Sequence, residues 1–211
     1  MISAATLRNA ETVLSAADPR LGELIRRHRP CRLGRRRRDP FHVLCTSIIN
    51  QQLSTTAADA IQARVAAVVG ANPLFTPAHF HGVDPGTLRA AGLSTAKSKW
   101  LVQIAQLIAT RQFSFAKLRR MDDETAIEAL DALPGIGRWS AEMFLIFALN
   151  RPDVFAMGDV GLRRGVEKLH NRGAKLDVEA TRAITERWAP WRSIASWYLW
   201  RIDDADEGAW K

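Results

Sequence analysis

The sequence predicts an all-α protein, and three observations predict it. Apolar residues recur at helical spacing along most of the chain. Ser, Thr or Asp stands where many of those runs begin, as helix N-caps do. No stretch alternates apolar and polar residues for more than a few positions, as a half-buried strand would.

Leu7, Ala10, Val13 and Leu14 give one helical face, and Leu21, Leu24 and Ile25 a second. The run Arg35 to Arg38 breaks the pattern, after which Asp39-Pro40 reads as an N-cap and first-turn proline. That helix carries Phe41, Leu44, Cys45, Ile48 and Ile49 and ends in the polar "NQQLS". Ser54 or Thr55 caps the next, from about Ala57 to Val69. A loop rich in Pro, Phe and His covers Asn72 to Pro85, and Thr87 to Ala91 is a short helix. "GLS" at Gly92 to Ser94 caps a long helix reaching Thr110. Asp122 and Asp123 cap a helix through Ala132, with Glu124 where the macrodipole favours an acid. Arg138 to Leu149 is apolar nearly all round and therefore buried. Helices over Gly161 to Leu169, Val178 to Trp188 and Trp191 to Ile202 complete the chain.

At 211 residues the chain is long enough for one large domain or two small lobes sharing a core. The longest apolar run, Met143 to Leu149, is too short to span a membrane. The N-terminus carries no basic stretch leading into an apolar one, so no secretory signal is expected. Two lone cysteines, Cys31 and Cys45, offer neither a disulfide framework nor a metal cage and suit a reducing cytoplasm. The formal net charge is +8, with 30 Lys and Arg against 22 acids. Such a surplus favours a polyanion, usually nucleic acid. An arginine-inflating genome composition would give the same number, so charge alone leaves both open.

The stretch "ALPGIGRWS", Ala132 to Ser140, lies between two helical patterns. Gly135 and Gly137 can take positive φ and let the backbone approach a ligand closely. The following helix begins at once, with its free N–H groups pointing out of the turn. The combination suits a phosphate, although a plain helix–helix corner also favours glycine.

"LPGIGRWSAEMFLIFALNRPDVFAMGD" resembles the helix–hairpin–helix (HhH-GPD) DNA glycosylases. In that family the hairpin is followed by a Gly/Pro-containing loop ending in an aspartate. "DPFHVLCTSIINQQLS", "GLSTAKSKWL" and "PWRSIASWYLW" resemble further blocks of the same family, so the likeness covers roughly residues 39 to 202. It is nearest the 3-methyladenine DNA glycosylase II branch. The resemblance implies a two-lobed helical fold with the active site in the cleft between lobes. A barrel lobe would span residues 40–149, and a second lobe 1–39 plus 150–211.

The same resemblance assigns roles. Asp159, twenty positions after Trp139, matches the catalytic aspartate; its bland alternative is an N-cap for "VGLRRGVEKL". Bifunctional relatives place at the Trp139 position a lysine that attacks the sugar, and Trp139 cannot do so. The four cysteines of an iron–sulfur cluster are missing. A monofunctional hydrolase without a cofactor is therefore implied, with a monovalent cation at the hairpin left open. Trp139 and Trp200 match pocket aromatics suited to electron-poor alkylated purines, although Trp200 also has Trp188, Trp191 and Trp197 nearby as core partners. Broad-range members carry tyrosines where this chain has Met143 and Val160, which puts the substrate range in doubt. Gln52, with Leu53 beside it, matches the wedge that fills the stack behind a flipped base; the alternative is a polar helix C-cap. Lys97, Lys99, Arg163, Arg164 and the Arg35 to Arg38 run are candidate phosphate contacts. His79 and His81 lack further ligands, so no metal is expected.

The expected partner is double-stranded DNA containing damaged bases, bound by a monomeric cytoplasmic protein with no membrane association. The expected reaction excises N-alkylated purines and leaves an abasic site. A glycosylase for oxidised or deaminated bases, or a non-catalytic helix–hairpin–helix DNA-binding protein, stands as the alternative.

Overall fold

The computed structural model describes residues 1–35 and 38–202. Arg36 and Arg37, the middle of the arginine run, lie outside the described residues. The described chain is helical throughout: α1 (Ala4–Ala17), α2 (Pro19–His28), α3 (Pro40–Asn50), α4 (Thr55–Val69), α5 (Pro77–Phe80), α6 (Pro85–Ala90) and α7 (Thr95–Ala109). Then come α8 (Phe115–Leu118), α9 (Asp123–Asp131), α10 (Arg138–Phe144), a π-helical segment (Leu145–Leu149), α11 (Val160–Asn171), α12 (Val178–Glu186) and α13 (Arg192–Leu199). The chain divides into two compact units, Arg38–Phe144 and the pair of stretches Met1–Arg37 with Leu145–Lys211.

In the unit Arg38–Phe144 local side-chain chemistry sets where helices begin. Ser54, Ser94, Ser114 and Asp122 each accept a backbone N–H two or three residues into the helix they cap. Such caps satisfy donors that the helix itself leaves orphaned, each contributing about 1 kcal/mol. Phe41, Leu44, Ile48, Phe80, Leu101, Ile104 and Leu130 then bury their side chains in one core, each stabilising by roughly 1.5–3 kcal/mol. Two turns fall outside the expected pattern. α5 sits inside the predicted Asn72 to Pro85 loop, closed by His79 Nδ1, which accepts from the Thr76 backbone N–H at 3.0 Å. α8 is likewise only four residues long.

In the other unit α1 and α2 pack beside α13 and α11. The buried face of α1 is Leu7, Ala10, Glu11 and Leu14, not the expected Val13, which is 40% exposed. Glu11 occupies the fourth place because its carboxylate is satisfied: Oε1 accepts from Tyr198 Oη at 2.7 Å and from the Cys31 N–H at 2.8 Å. Asp18, also buried, caps α2 and accepts the Trp188 indole N–H at 2.9 Å. Gly165 lets α11 meet α13, since a Cβ there would lie 3.1 Å from Leu199 Cβ. The single helix expected over Arg138 to Leu149 changes character, with α10 ending at Phe144 and the π-helical hydrogen bonding beginning at Leu145.

Candidate functional site

The hairpin belongs to the unit Arg38–Phe144. α9 ends with the Leu133 N–H donating to Leu130, and the turn closes as Ile136 donates to the Leu133 carbonyl at 3.2 Å. Leu133 and Ile136 are buried and anchor the turn from below. Gly135 has φ +79°, and a Cβ built on it would lie 2.3 Å from Cε3 of Trp100. Both the backbone conformation and the overlying indole therefore require glycine at this position. Gly137 differs from the expectation. It is absent from the positive-φ positions, and a Cβ there would meet only Asp131 Oδ1, at 4.0 Å. Nothing inside the unit requires glycine at 137; the missing side chain leaves the outer surface of the turn bare. Its carbonyl accepts the Ala141 N–H, so α10 starts directly from it.

Arg138 turns back along the hairpin. Its guanidinium grips Glu124, in the first turn of α9, with two hydrogen bonds at 2.6 and 2.8 Å. Its Nε also lies 3.2 Å from Glu142 on α10. Burial pushes the Glu142 carboxyl up, and Arg138 opposes that rise. The two arms of the hairpin are thus tied by one bidentate cation. The next residue, Trp139, presents a large apolar surface, 46% exposed. Met143, one turn further, is half-buried.

The "NQQLS" loop is fastened to the hairpin within the same unit. Gln51 donates its side-chain amide to the Gly135 carbonyl at 2.8 Å. Gln52 beside it is exposed and takes φ +58°, an uncommon conformation for a residue with a Cβ. Leu53 is 37% exposed. Lys97 has partners that the sequence does not announce: its ammonium donates to the carbonyls of Ile49 at 2.8 Å and Gln51 at 2.7 Å. Burial lowers its pKa accordingly. Lys99 is exposed on α7.

Asp159 belongs to the other unit. It is the N-cap of α11, its Oδ1 accepting the Leu162 N–H at 2.8 Å. The same oxygen accepts the Trp200 indole N–H at 3.2 Å, from the C-terminal end of α13. Trp200 stacks on Phe147 of the π-helical segment, with centroids 5.5 Å apart. Gly161 makes the approach possible, because a Cβ there would lie 3.1 Å from Asp159 Oδ1 and 3.5 Å from Trp200 Cδ1. The loop leading to Asp159 is stapled to the start of α13. Arg192 grips both carboxylate oxygens of Asp153 at 2.8 Å, and the Ser193 hydroxyl bridges the N–H and carbonyl of Val154. Val160 follows the aspartate with 52% of its surface exposed, and Arg163 and Arg164 are exposed on the next turn of α11.

The structure thus joins Asp159 to Trp200, and the "QQLS" loop to the hairpin. Sequence reasoning passed over Gln51, Trp100, Arg138, Phe147 and Gly161. Only Gly161 gave a signal, as a glycine two places after the aspartate. Among the described residues no three His, Cys, Asp or Glu side chains group as metal ligands do, and no helix is long and apolar enough to cross a membrane.

Relatives carry the same frame. A DNA-3-methyladenine glycosylase from Schizosaccharomyces pombe is 35% identical, over 93% of this chain and 87% of its own length. The DNA-3-methyladenine glycosidase of Bacillus halodurans superposes with a TM-score of 0.83 at 36% identity, covering 91% of this chain and 88% of that one. A 3-methyladenine DNA glycosylase of S. pombe, solved in complex with abasic DNA, gives 0.72 at 36% identity, covering 92% and 95%. Residues 45–190 match the model of the HhH-GPD superfamily of base excision DNA repair proteins, and the chain belongs to that superfamily.

Proposed function

We infer that this chain is a monofunctional DNA glycosylase that excises N-alkylated purines, of the 3-methyladenine and 7-methylguanine type, from duplex DNA. The observation that carries the reading is the Asp159 carboxylate, held at the head of α11 by Leu162 and Trp200. Cleavage of an N-glycosidic bond passes through a sugar with developing positive charge. A fixed carboxylate stabilises that charge more than it stabilises the neutral ground state. The same group orients or deprotonates the attacking water. The hydrolysis puts a hydroxyl on the sugar and releases the base, leaving an abasic site in an uncut strand. Trp139 stands where bifunctional relatives have lysine, so no side-chain amine is offered there for a Schiff base.

The other residues fall into place around this step. Trp200 and Val160, in the unit that holds Asp159, would recognise the base, and Trp139 and Met143 are the candidates for that role in the unit Arg38–Phe144. Each indole offers a face on which an electron-poor or cationic purine can stack. Gln52 and Leu53, exposed on a loop held in an uncommon conformation, would fill the stack as the base leaves it. The bare backbone at Gly137 would approach a phosphate, with Lys99 adding charge in the same unit; in the unit that holds Asp159, Arg163 and Arg164 would add charge towards DNA. Alkylated purine release is supported by the names of the relatives and by the aromatic side chains offered to the base. The corresponding location is the cytoplasm, on the nucleoid in a bacterium.

The test is base release from methylated duplex DNA, resolved by chromatography, for wild type and Asp159→Asn. Wild type is expected to release 3-methyladenine and 7-methylguanine and leave alkali-labile sites. No release by wild type overturns the reading. Preference for 8-oxoguanine in a panel of single-lesion duplexes would move the substrate class to oxidised bases.

A further inference from the structure

The Lys97 contacts carry an inference that rests on the glycosylase reading and goes beyond it. Helix α3 ends without a glycine, and its last carbonyls have no partners within the helix. A lysine from the first turn of α7, 46 and 48 residues away in sequence, reaches over to satisfy them. The placement is unfavourable on two counts. A cation sits at the positive end of the α7 dipole, and its ammonium is partly withdrawn from water. Both costs are offset by the two carbonyls at the C-terminus of α3, which fix where the chain leaves that helix.

The exit from α3 matters because it aims the residues of the "QQLS" loop. Gln51 leaves α3 with its carbonyl on Lys97 and its side-chain amide on the Gly135 carbonyl. Gln52 comes next, at φ +58° and exposed. Trp100, one turn beyond Lys97 on α7, covers Gly135 so closely that no Cβ fits. One turn of α7 thus touches both the loop and the hairpin. We propose that Lys97 and Gln51 form a strap of positioning residues, which holds the Gln52 loop in register with the hairpin so that insertion into the stack and grip on the phosphate backbone occur together. Neither residue touches the base; both act through Gln52 and the hairpin backbone.

The test uses the full-length protein with Lys97→Met, Lys97→Arg, Gln51→Leu and the double variant Lys97→Met/Gln51→Leu. Three quantities are read: single-turnover release of 7-methylguanine at saturating enzyme, affinity for undamaged duplex, and 2-aminopurine fluorescence beside an abasic analogue. Lys97→Met and Gln51→Leu are expected to slow release at least about tenfold and to lower the fluorescence change, while undamaged-duplex affinity moves less than about threefold. The double variant is expected to lose no more than the worse single, as parts acting in series do. Lys97→Arg, which retains donors for carbonyls, recovers part of the rate.

Unchanged single-turnover rates in folded variants overturn the strap. So does a loss of duplex affinity that accounts for the whole loss of release, because that pattern belongs to general destabilisation. If Lys97→Met does not fold, Gln51→Leu decides alone, since it leaves the Lys97 contacts in place. Release by wild type with unaffected variants counts against the strap only, whereas no release by wild type removes the glycosylase reading and the strap with it.

Discussion

Trp200 donates its indole N–H to Oδ1 of Asp159 at 3.2 Å, although the two lie 41 residues apart. A side chain that sequence likeness places in the base pocket thus also holds the carboxylate. The two roles separate by substitution. Asp159→Asn retains a good N-cap but removes the charge, so the thermal midpoint should hold while release falls about 10²–10³-fold. Trp200→Phe keeps a ring against Phe147 and removes the donor. A drop of about tenfold is expected, matching one hydrogen bond to a charged group. Wild-type rates in Trp200→Phe would show that the N–H does not orient the carboxylate.

The two hairpin glycines should respond differently to alanine. Gly135→Ala faces both a positive φ and the Trp100 ring, and should cost about 2–4 kcal/mol in urea unfolding. Gly137→Ala meets only Asp131 Oδ1, at an ordinary van der Waals distance of 4.0 Å, and should change stability by less than about 0.5 kcal/mol. Its effect should appear instead in fluorescence anisotropy with duplex DNA, as a loss of about tenfold or more in affinity. Equal destabilisation by the two variants would contradict the distinction drawn between them.

Asp18 sets an acid limit on the unit that bears Asp159. Burial works to raise its carboxyl. His170, whose Nε2 lies 3.1 Å away in an ion-pair contact, the Trp188 indole and the Leu21 N–H together outweigh burial and hold the carboxyl well below the usual carboxylate range. A folded-state pKa below the unfolded value of about 3.9 means that the stabilisation is complete above that value. It is lost as pH falls towards the folded-state pKa, over a span of roughly 2–3 kcal/mol. Asp18→Asn should lower stability at neutral pH and flatten its decline in acid, read from urea midpoints between pH 2 and 6. An unchanged slope would sink the assignment.

Arg138 should act as a clamp on the hairpin. Arg138→Ala leaves Glu142 buried without its cation and Glu124 without its partner. Since the guanidinium is largely exposed, the cost should be about 1–2 kcal/mol rather than that of a fully buried pair. Adding Glu142→Gln should recover part of it, because a neutral amide is cheaper to bury than a lone carboxylate. A double-mutant cycle with no coupling between the two positions would refute the clamp.

Most helices could be read from the sequence because their start signals are local. Ser54, Ser94 and Asp122 cap the helices after them using only the next few residues. α5 and α8 escaped notice because four residues show no period, and the π-helical segment because its apolar residues resemble those of any buried helix. At the candidate site, motif spacing singled out Asp159, Trp139 and Gln52. It did not reveal the partners of Lys97, because an isolated lysine reads as a surface charge until the carbonyls it meets, half a hundred positions upstream, are known. Gly137 does not share the backbone of Gly135, because the φ of a glycine depends on the turn closed around it.

The buried Glu11 has a consequence for how the chain is made. Its partner Tyr198 lies 187 residues away, an interval that a ribosome covers in roughly 10–40 s at about 5–20 residues per second. Throughout that time Leu7, Ala10 and Leu14 have been synthesised without the α13 helix on which α1 comes to rest. Arg38–Phe144, contiguous in sequence, can meanwhile complete its own core. The unit holding Asp159 must therefore be the last to close, so the nascent chain has its hairpin before its carboxylate has been fixed in place.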